Sequence, residues 1–187
     1  MQVIVISGKA QNGKDTTAGF LKEALEADGN SVLIAHYGDL VKYVCKMYFG
    51  WNGEKDEYGR SLLQYVGTDV IRAQNENYWV QFVGNILTFF NGEWDYVLIP
   101  DCRFPNEVNH MKELGFDTTH IRVIRDGFIS PLTEEQQKHP SETALDDTMP
   151  DTYIHNDGSL SDLREKVIQL VTDFNGNHQM TFEEIID

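Results

Sequence analysis

A short glycine-containing stretch near the amino end has the spacing of a phosphate-binding loop. Residues 8–16 read GKAQNGKDT and fit G-x-x-x-x-G-K, directly after an apolar run and directly before a helical pattern. Glycines allow backbone N–H groups to turn inward around phosphate oxygens, and a helix amino end adds a favourable dipole. Lys14 is expected to reach the β and γ phosphates of a nucleotide. The expected phosphate contacts are Gly8, Asn12, Gly13, Lys14, Asp15, Thr16 and Thr17.

Two acidic residues are candidates for holding Mg²⁺ beside this loop. Asp15 stands where Ser or Thr usually binds the metal, and Thr16 supplies a hydroxyl one residue later. Asp101 follows an apolar run, and an acidic residue at such a strand end often holds Mg²⁺ or its water. The alternatives are that Asp15 organises the loop, and that Asp101 caps a helix or pairs with Arg103.

Apolar runs alternate with helical periodicity along the chain and predict the elements that position these residues. The runs are typical of parallel strands covered by helices on both faces, which predicts an α/β fold. Ser159 is expected to cap a last helix with one apolar stripe. The predicted strands are 3–6, 31–37, 96–99, 119–125 and 152–155, and the predicted helices are 14–26, 39–48, 61–72, 77–90, 106–114 and one from 160.

The carboxyl ends of the predicted strands collect basic side chains. Ligands of parallel α/β sheets bind at this edge. It is expected to bring together Lys14, Lys42, Arg103 and Arg125, which are four of only fifteen Lys and Arg residues in the chain. This convergence predicts a pocket for a polyanion.

Composition limits the classes of partner. The 187 residues, 41% of them hydrophobic, suit a single globular domain over residues 1–187. A net charge of −15 argues against a nucleic-acid polymer or an anionic membrane as partner. We find no signal peptide and no apolar run of the ~18 residues that a membrane span requires, so we expect a cytoplasmic protein. Cys45 and Cys102 are expected to be free thiols, and the oligomeric state stays open.

Two segments carry weaker patterns. Residues 126–151 hold three of the five prolines and no convincing period, which predicts a loop-rich flap. Residues 173–184 resemble a calcium-binding loop with acidic or amide side chains at the ligand positions. His178 stands where that loop needs glycine, which favours a helix end followed by an acidic tail.

Five stretches in order make the sequence similar to the deoxynucleoside monophosphate kinases of the bacteriophage type. The phosphate loop alone indicates only a nucleotide-binding protein, whereas the ordered set spans residues 3–170 and is much more specific. One departure is Leu40, which stands where the family usually has proline. The stretches are GKAQNGKDTTA (8–18), YGDLVK (37–42), RSLLQYVGTDVIR with YWV (60–72 and 78–80), DCRFPNE (101–107), and Arg125 with HPSE (139–142) and NDGSL (156–160).

The resemblance implies a fold and an activity. The implied fold is a three-layer phosphate-loop NTPase fold of the nucleoside-monophosphate-kinase type, with a helical acceptor-binding insertion over residues 38–92 and a lid over residues 126–151. The implied reaction transfers the γ-phosphoryl group of ATP to a deoxynucleoside 5′-monophosphate, with Mg²⁺ bridging the donor phosphates, and supplies DNA precursors. The implied partners are small-molecule nucleotides.

The resemblance also implies roles for individual residues. Lys14, Arg103 and Arg125 would be catalytic, with the arginines clamping the transferring group. Asn156 and Asp157 would lie on the adenine side of ATP. The lid has seven acidic residues against Lys138, so either its closure relies on that lysine, on Arg125 and on backbone contacts, or the flap serves another purpose. The implied acceptor-binding residues are Lys42, Arg60 and Arg72 for the phosphate, and Gln64 and Trp79 for the base.

Other interpretations of these residues stay open. Arg103 and Arg125 could be salt-bridge partners in an acidic chain, and Gln64 and Trp79 could be core residues. At the level of function, the alternatives are a kinase for another acceptor, such as phosphomevalonate, and a non-catalytic nucleotide-binding protein. Base recognition favours the nucleotide acceptor, and a second phosphate site disfavours the non-catalytic protein.

Overall fold

A parallel sheet lies at the centre of the structure. The computed structural model describes the backbone of residues 1–183 and the side chains through Phe174. The strands are β1 (Gln2–Ser7), β2 (Val32–Ile34), β3 (Tyr96–Cys102), β4 (Asp117–Ile124) and β5 (Thr152–His155). Over the described residues they form one sheet in the order β2-β3-β1-β4-β5, and every neighbouring pair is parallel. The predicted parallel α/β architecture is confirmed.

Helices cover the sheet and extend beyond it. They are α1 (Lys14–Ala27), α2 (Gly38–Phe49), α3 (Glu57–Gln64), a π-helix (Tyr65–Arg72), α4 (Tyr78–Phe89), α5 (Pro105–Glu113), α6 (Glu134–Lys138), α7 (Pro140–Thr143) and α8 (Leu160–Glu183). The helix predicted over 61–72 begins four residues earlier and changes type at Tyr65. It begins early because the Asp56 side chain accepts a hydrogen bond from Gly59 N at 2.7 Å, which caps α3.

The two faces of β1 pack against different helices, because successive side chains of a strand point to opposite faces. Ile4 and Ile6 are fully buried in one core, and Val3 and Val5 are fully buried in the other. The sheet is therefore the middle of three layers, as predicted. The first core includes Leu21 and Leu25 of α1 and Leu163 and Val167 of α8, and the second includes Val80 and Leu87 of α4 and Met111 of α5.

A separate apolar cluster holds the helical region that follows β2. Val41 and Cys45 of α2 pack there with Trp51, Val66 of the π-helix and Trp79 of α4. Leu62 and Leu63 of α3 pack against the same cluster, which therefore joins α2, α3, the π-helix and α4 beside the sheet. Cys45 and Cys102 are both buried free thiols, as predicted.

Residues 126–151, which the resemblance assigns to a lid and which are called the lid below, contain two short helices where the sequence predicted loop-rich chain. That prediction was wrong for α6 and α7, because helices of five and four residues are too short to show a period. Thr133 and Gln136 form a reciprocal capping box that starts α6. His139 accepts a hydrogen bond from Ser141 N at 3.2 Å and starts α7.

The lid is attached to both the sheet and the neighbouring helices. Arg122 of β4 donates to the carbonyl oxygen of Thr148 at 2.8 Å. On the other side, Gln136 Nε2 donates to Ser61 Oγ of α3 at 3.2 Å, and His139 Nε2 lies 3.1 Å from Asp69 Oδ1 of the π-helix. The lid thus bridges the two parts of the molecule that enclose the cavity described below.

The carboxyl-terminal helix occupies most of the segment that resembles a calcium-binding loop. α8 continues through residues 173–177, which makes those positions helical, and Glu184 lies outside the described residues. Ser159 Oγ accepts a hydrogen bond from Asp162 N at 3.3 Å, so the predicted cap of this helix is present. No helix in the described part of the chain is both long and apolar enough to cross a membrane.

Candidate active site

A cavity of about 420 Å³ opens between the carboxyl ends of the central strands, α2, α3 and the lid. It is the place that the parallel sheet predicts for a ligand. Nine residues that the sequence singled out line it: Lys14, Asp15, Lys42, Arg60, Gln64, Arg72, Trp79, Asp101 and Arg103. The other predicted site residues, Gly8, Asn12, Gly13, Thr16, Thr17, Arg125, Asn156 and Asp157, lie outside its lining.

The phosphate loop is held in place by β4 and by the loop after β5. Gly8 has a φ of 146°, and a Cβ at this position would lie 2.4 Å from the carbonyl oxygen of Val123. Gly13 has a φ of 97°, and a Cβ there would lie 2.5 Å from Asn156 Nδ2. The Asn156 side chain donates to the carbonyl oxygen of Asn12 at 3.0 Å. Gly8 is therefore required by its close approach to the backbone of β4, Gly13 is favoured by its left-handed φ, and Asn156 braces the loop.

Lys14 lies at the floor of the cavity and is tied to the loop that precedes it. Its Nζ donates to the carbonyl oxygens of Gly8 at 2.7 Å and Lys9 at 2.9 Å. The side chain is buried, and this burial, together with the nearby Arg103, lowers the pKa of Lys14 to about 8. An anion bound beside Lys14 would stabilise the charged amine and reverse this effect.

Thr17, which the sequence predicted as a phosphate contact, does not line the cavity. It is fully buried in α1, and its hydroxyl has no hydrogen-bond partner among the described residues. Thr17 shares the buried face of α1 with Lys14, Ala18 and Leu21.

The two carboxylates predicted for Mg²⁺ both line the cavity. Asp101 Oδ1 accepts from Tyr37 N at 3.0 Å, and Oδ2 accepts from Gly38 N at 2.8 Å, which fixes the carboxylate at the start of α2. A hydrogen bond from His36 holds the pKa of Asp15 below its usual range. Each carboxylate oxygen can accept more than one bond, so both groups keep capacity for a cation. Hard oxygen ligands of this kind suit Mg²⁺.

Three cations approach the cavity from the helical side. Lys42 of α2 pairs with the exposed Asp39 at 2.8 Å. The side chains of Arg60, in α3, and Lys55, in the loop before it, line the cavity and form no ion pair or hydrogen bond within the described part of the chain, although the charge of Lys55 helps to lower the pKa of Asp15. Sequence reasoning missed Lys55, because a lysine in a polar loop carries no pattern.

Arg72 is held by the protein on several sides. It forms a buried ion pair with Glu107 at 3.1 Å and donates to Asn106 Oδ1 at 2.7 Å and to the carbonyl oxygen of Glu76 at 2.6 Å. Its guanidinium also lies 3.7 Å from the centre of the Phe104 ring. Burial raises the pKa of Glu107 to about 7 against the opposing effect of Arg72. Arg72 therefore joins the π-helix to the start of α5 while it forms part of the cavity wall.

Gln64 and Trp79, which the resemblance assigns to the base of the acceptor, both form part of the cavity wall. Trp79 is buried, and its Nε1 donates to the carbonyl oxygen of Gly67 at 2.8 Å. Its ring meets Tyr78 edge-on, with centroids 4.9 Å apart. Gln64 Nε2 reaches Ser141 Oγ of the lid at 3.4 Å. Trp79 is thus a packing residue that also contributes surface to the cavity.

The two predicted clamp arginines lie in different places. Arg103 donates to the carbonyl oxygen of Ser141 at 2.9 Å and to the carboxylate of Glu142, so it faces the lid across the cavity. Arg125 is exposed outside the cavity, and its guanidinium stacks 4.7 Å from the centre of the Phe128 ring. Arg125 therefore does not join Lys14 and Arg103 in this structure.

The lid approaches the cavity in a way that differs from expectation. Lys138 is exposed and lies 3.8 Å from Glu134, and neither it nor Arg125 lines the cavity. The lid instead presents Leu132, Ser141 and Glu142. Outside the cavity, Asp126, His155 and Asp157 form an exposed group, with Asp157 Oδ1 accepting from Asp126 N at 3.0 Å.

Comparisons with known proteins agree with this architecture. The chain is 33% identical over 114 residues to the deoxynucleotide monophosphate kinase of Escherichia phage RB69, and 33% identical over 119 residues to that of Enterobacteria phage T4. These matches cover 60% and 62% of this chain, and the chain spans only 44% and 46% of the length of the two relatives.

A solved structure shows the same fold at low sequence identity. A gluconokinase from Sinorhizobium meliloti 1021 has a TM-score of 0.55 and 13% identity, with 96% of this chain and 97% of that chain covered. A family model described as deoxynucleotide monophosphate kinase matches residues 32–167, which is well over half of the sequence. The chain therefore belongs to the deoxynucleotide monophosphate kinase family.

Proposed function

We propose that the chain transfers the γ-phosphoryl group of ATP to the phosphate of a deoxynucleoside 5′-monophosphate, giving ADP and a deoxynucleoside diphosphate. The observation that carries the proposal is that cations from two sets of elements face one cavity. Lys14 and Arg103 approach from the sheet, and Lys42, Lys55 and Arg60 approach from the helical side. A protein that only binds a nucleotide has no use for the second set.

The donor side is built around the phosphate loop. Loop N–H groups and the amino end of α1 would hold the ATP phosphates, with Lys14 on the β and γ phosphates. Arg103 would clamp the transferring group, because a guanidinium binds phosphate oxygens with two parallel hydrogen bonds. Asn156 and Asp157 are proposed for the adenine side, since their loop contacts the phosphate loop directly.

The positive charges that Lys42, Lys55 and Arg60 bring to the acceptor side are not neutralised by buried ion pairs with other described residues. Arg60 and Lys55 have no described ion pair, and the exposed pair of Lys42 with Asp39 is of a kind that contributes little free energy. All three cations are therefore available to an acceptor phosphate dianion. Gln64 would read the edge of the base, and Trp79 would form the wall beside it.

The reaction itself needs positioning and charge neutralisation. The acceptor phosphate is already an anion near neutral pH, so no general base is required. The cations would lower the barrier mainly by holding the acceptor in line with the γ phosphate. Mg²⁺ held by Asp15 and Asp101 would neutralise the charge that develops on the donor phosphates. The lid would exclude water and so suppress hydrolysis of ATP.

The experiment that tests this function is an ADP-release assay with Mg·ATP and a panel of acceptors. The panel contains the deoxynucleoside monophosphates, the matching ribonucleotides and phosphomevalonate. We expect turnover with one or more deoxynucleotides. Turnover confined to phosphomevalonate, or ATP binding without any turnover, would overturn the proposal.

A further inference from the structure

One lid carboxylate reaches into the donor half of the cavity. Glu142 Oε2 accepts a hydrogen bond from the backbone N–H of Ala10, in the phosphate loop, at 3.0 Å. Glu142 Oε1 accepts from Arg103 Nη1. The Glu142 side chain is only 5% exposed, so this negative charge is buried against the phosphate loop and not lying on the lid surface.

The neighbouring lid residues strengthen the same attachment. Lys9 Nζ, also in the phosphate loop, donates to the carbonyl oxygen of Glu142 at 2.6 Å and forms an ion pair with Asp146. Arg103 Nη1 also donates to the carbonyl oxygen of Ser141 at 2.9 Å. The lid is therefore fastened to the phosphate loop through anionic and carbonyl oxygens.

The groups that hold Glu142 are those that a donor phosphate needs. A backbone N–H of a glycine-rich loop, an arginine fork and the nearby Lys14 together form a phosphate-binding set. A carboxylate and a phosphate both present anionic oxygens to such donors. An N–H has one hydrogen to donate, so the Ala10 N–H cannot fully serve Glu142 and a phosphate at the same time.

Because the contact is buried, breaking it has a free-energy cost. A buried carboxylate is tolerated only where it is paired and hydrogen-bonded, and Glu142 has both kinds of partner here. Hydrogen bonds to charged groups are also stronger than those between neutral groups. Displacing Glu142 therefore has a free-energy cost that a bound phosphate must exceed.

We propose that Glu142 determines donor affinity by acting as an internal phosphate mimic, whose carboxylate competes with the ATP phosphates for Ala10 N–H and Arg103. The proposal rests on the proposed function, because ATP is the donor assumed there. Donor binding then requires the lid to withdraw this carboxylate. The apparent dissociation constant of ATP equals its intrinsic value divided by the fraction of chains in which Glu142 is withdrawn.

The test is calorimetric titration of ATP, with Mg²⁺ and without an acceptor, into wild-type protein and Glu142→Gln. We expect about tenfold tighter ATP binding by the variant, because the competing charge is gone. Glu135→Gln is the matched control, since Glu135 is an exposed lid carboxylate and the change in net charge is identical. It is expected to bind ATP as the wild type does. Adenosine, which has no phosphate, is expected to bind both variants and the wild type equally.

A second variant keeps the test valid if Glu142→Gln fails to fold. Glu142→Asp keeps the charge but shortens the side chain by one methylene, so it reaches Ala10 N–H poorly and should also tighten ATP binding. Unchanged or weaker ATP binding by the folded variants would overturn the proposal, and in that case Glu142 would serve to orient Arg103.

The acceptor assay separates this proposal from the proposed function. If the wild type phosphorylates a deoxynucleotide while the Glu142 variants bind ATP no tighter, the competition is refuted and the function stands. If wild type and variants all fail to bind ATP or inorganic pyrophosphate, both proposals are overturned.

Discussion

Arg72 and Glu107 form a buried ion pair, with Arg72 Nη2 lying 3.1 Å from Glu107 Oε1, that joins the π-helix to α5. Both side chains are less than a tenth exposed. Glu107 also accepts from Arg103 N at 2.6 Å and Phe104 N at 3.1 Å, so one carboxylate organises the turn that carries Arg103. The position of Arg103, the proposed clamp residue, therefore depends on the buried pair of Arg72 and Glu107.

The first prediction separates the structural role of Arg72 from the binding role of Arg60. Arg72→Met removes the partner of the buried Glu107 carboxyl, which must then take up a proton or stay unpaired, and also removes the hydrogen bonds to Asn106 and Glu76, so it is expected to lower the free energy of unfolding by about 3–5 kcal/mol. Arg60→Met, at a residue with no described ion pair, should change stability by about 0.5 kcal/mol or less and raise the acceptor KM. Urea unfolding and acceptor kinetics measure the two effects, and equal stability of the variants would contradict this assignment.

The second prediction concerns Lys14. Lys14→Met removes the charge, keeps much of the apolar volume and is expected to lower transfer by at least about 10³-fold while the fold stays intact. The ADP-release assay and circular dichroism measure these two properties. Lys112→Met, on the exposed side of α5, is the matched control and should retain full turnover. Retained turnover by Lys14→Met would refute the donor site.

The third prediction tests the acceptor side through Lys42. Lys42→Ala is expected to raise the acceptor KM, or to lower kcat/KM, by about tenfold or more, because it removes a charge-assisted hydrogen bond to the acceptor phosphate. ATP binding measured by calorimetry should change far less. Lys112→Ala serves again as the control for loss of one positive charge. An unchanged acceptor profile would show that Lys42 does not contact this substrate.

The fourth prediction follows from the lowered pKa of Lys14. Its pKa of about 8 means that the amine loses its proton as the pH rises above 8, whereas a bound phosphate favours the protonated form. ATP affinity should therefore fall with rising pH above 8, by up to about tenfold per pH unit. Calorimetry at pH 7, 8 and 9 measures this dependence. Lys14→Met should show no such fall, and a flat wild-type profile would argue against the contact.

The parts of the site that could be predicted are those built from local sequence. Gly8, Gly13 and Lys14 lie in one loop between a strand and a helix, so spacing alone placed them. The roles of the charged residues on the helical side were harder to predict. Arg72 occupies the same place in the sequence pattern whether its side chain binds a substrate or pairs with Glu107. Arg125 was expected at the cavity because it follows β4, but its guanidinium stacks on Phe128 outside the cavity.

The lid contacts could not be predicted, because they join distant parts of the chain. Glu142 and Ala10 are separated by 132 residues, and nothing in either segment indicates that they meet. On composition alone, a lid with seven acidic residues argues against contact with an anionic ligand. In the structure, Glu142 pairs with Arg103 of the cavity lining, and Asp146 pairs with Lys9 of the phosphate loop.

Because β1 lies at the centre of the sheet, the phosphate loop that follows it and the lid are expected to differ in how readily their backbone amides exchange with solvent. β1 is hydrogen-bonded to β3 and β4, so its amide protons are protected until the whole sheet opens. The short helices α6 and α7 have few backbone hydrogen bonds of their own, so they belong to a less stable cooperative unit. The proposed phosphate-binding loop is thus expected to be anchored in a slowly exchanging part of the protein, while Glu142, the proposed competitor, lies on a segment expected to exchange faster.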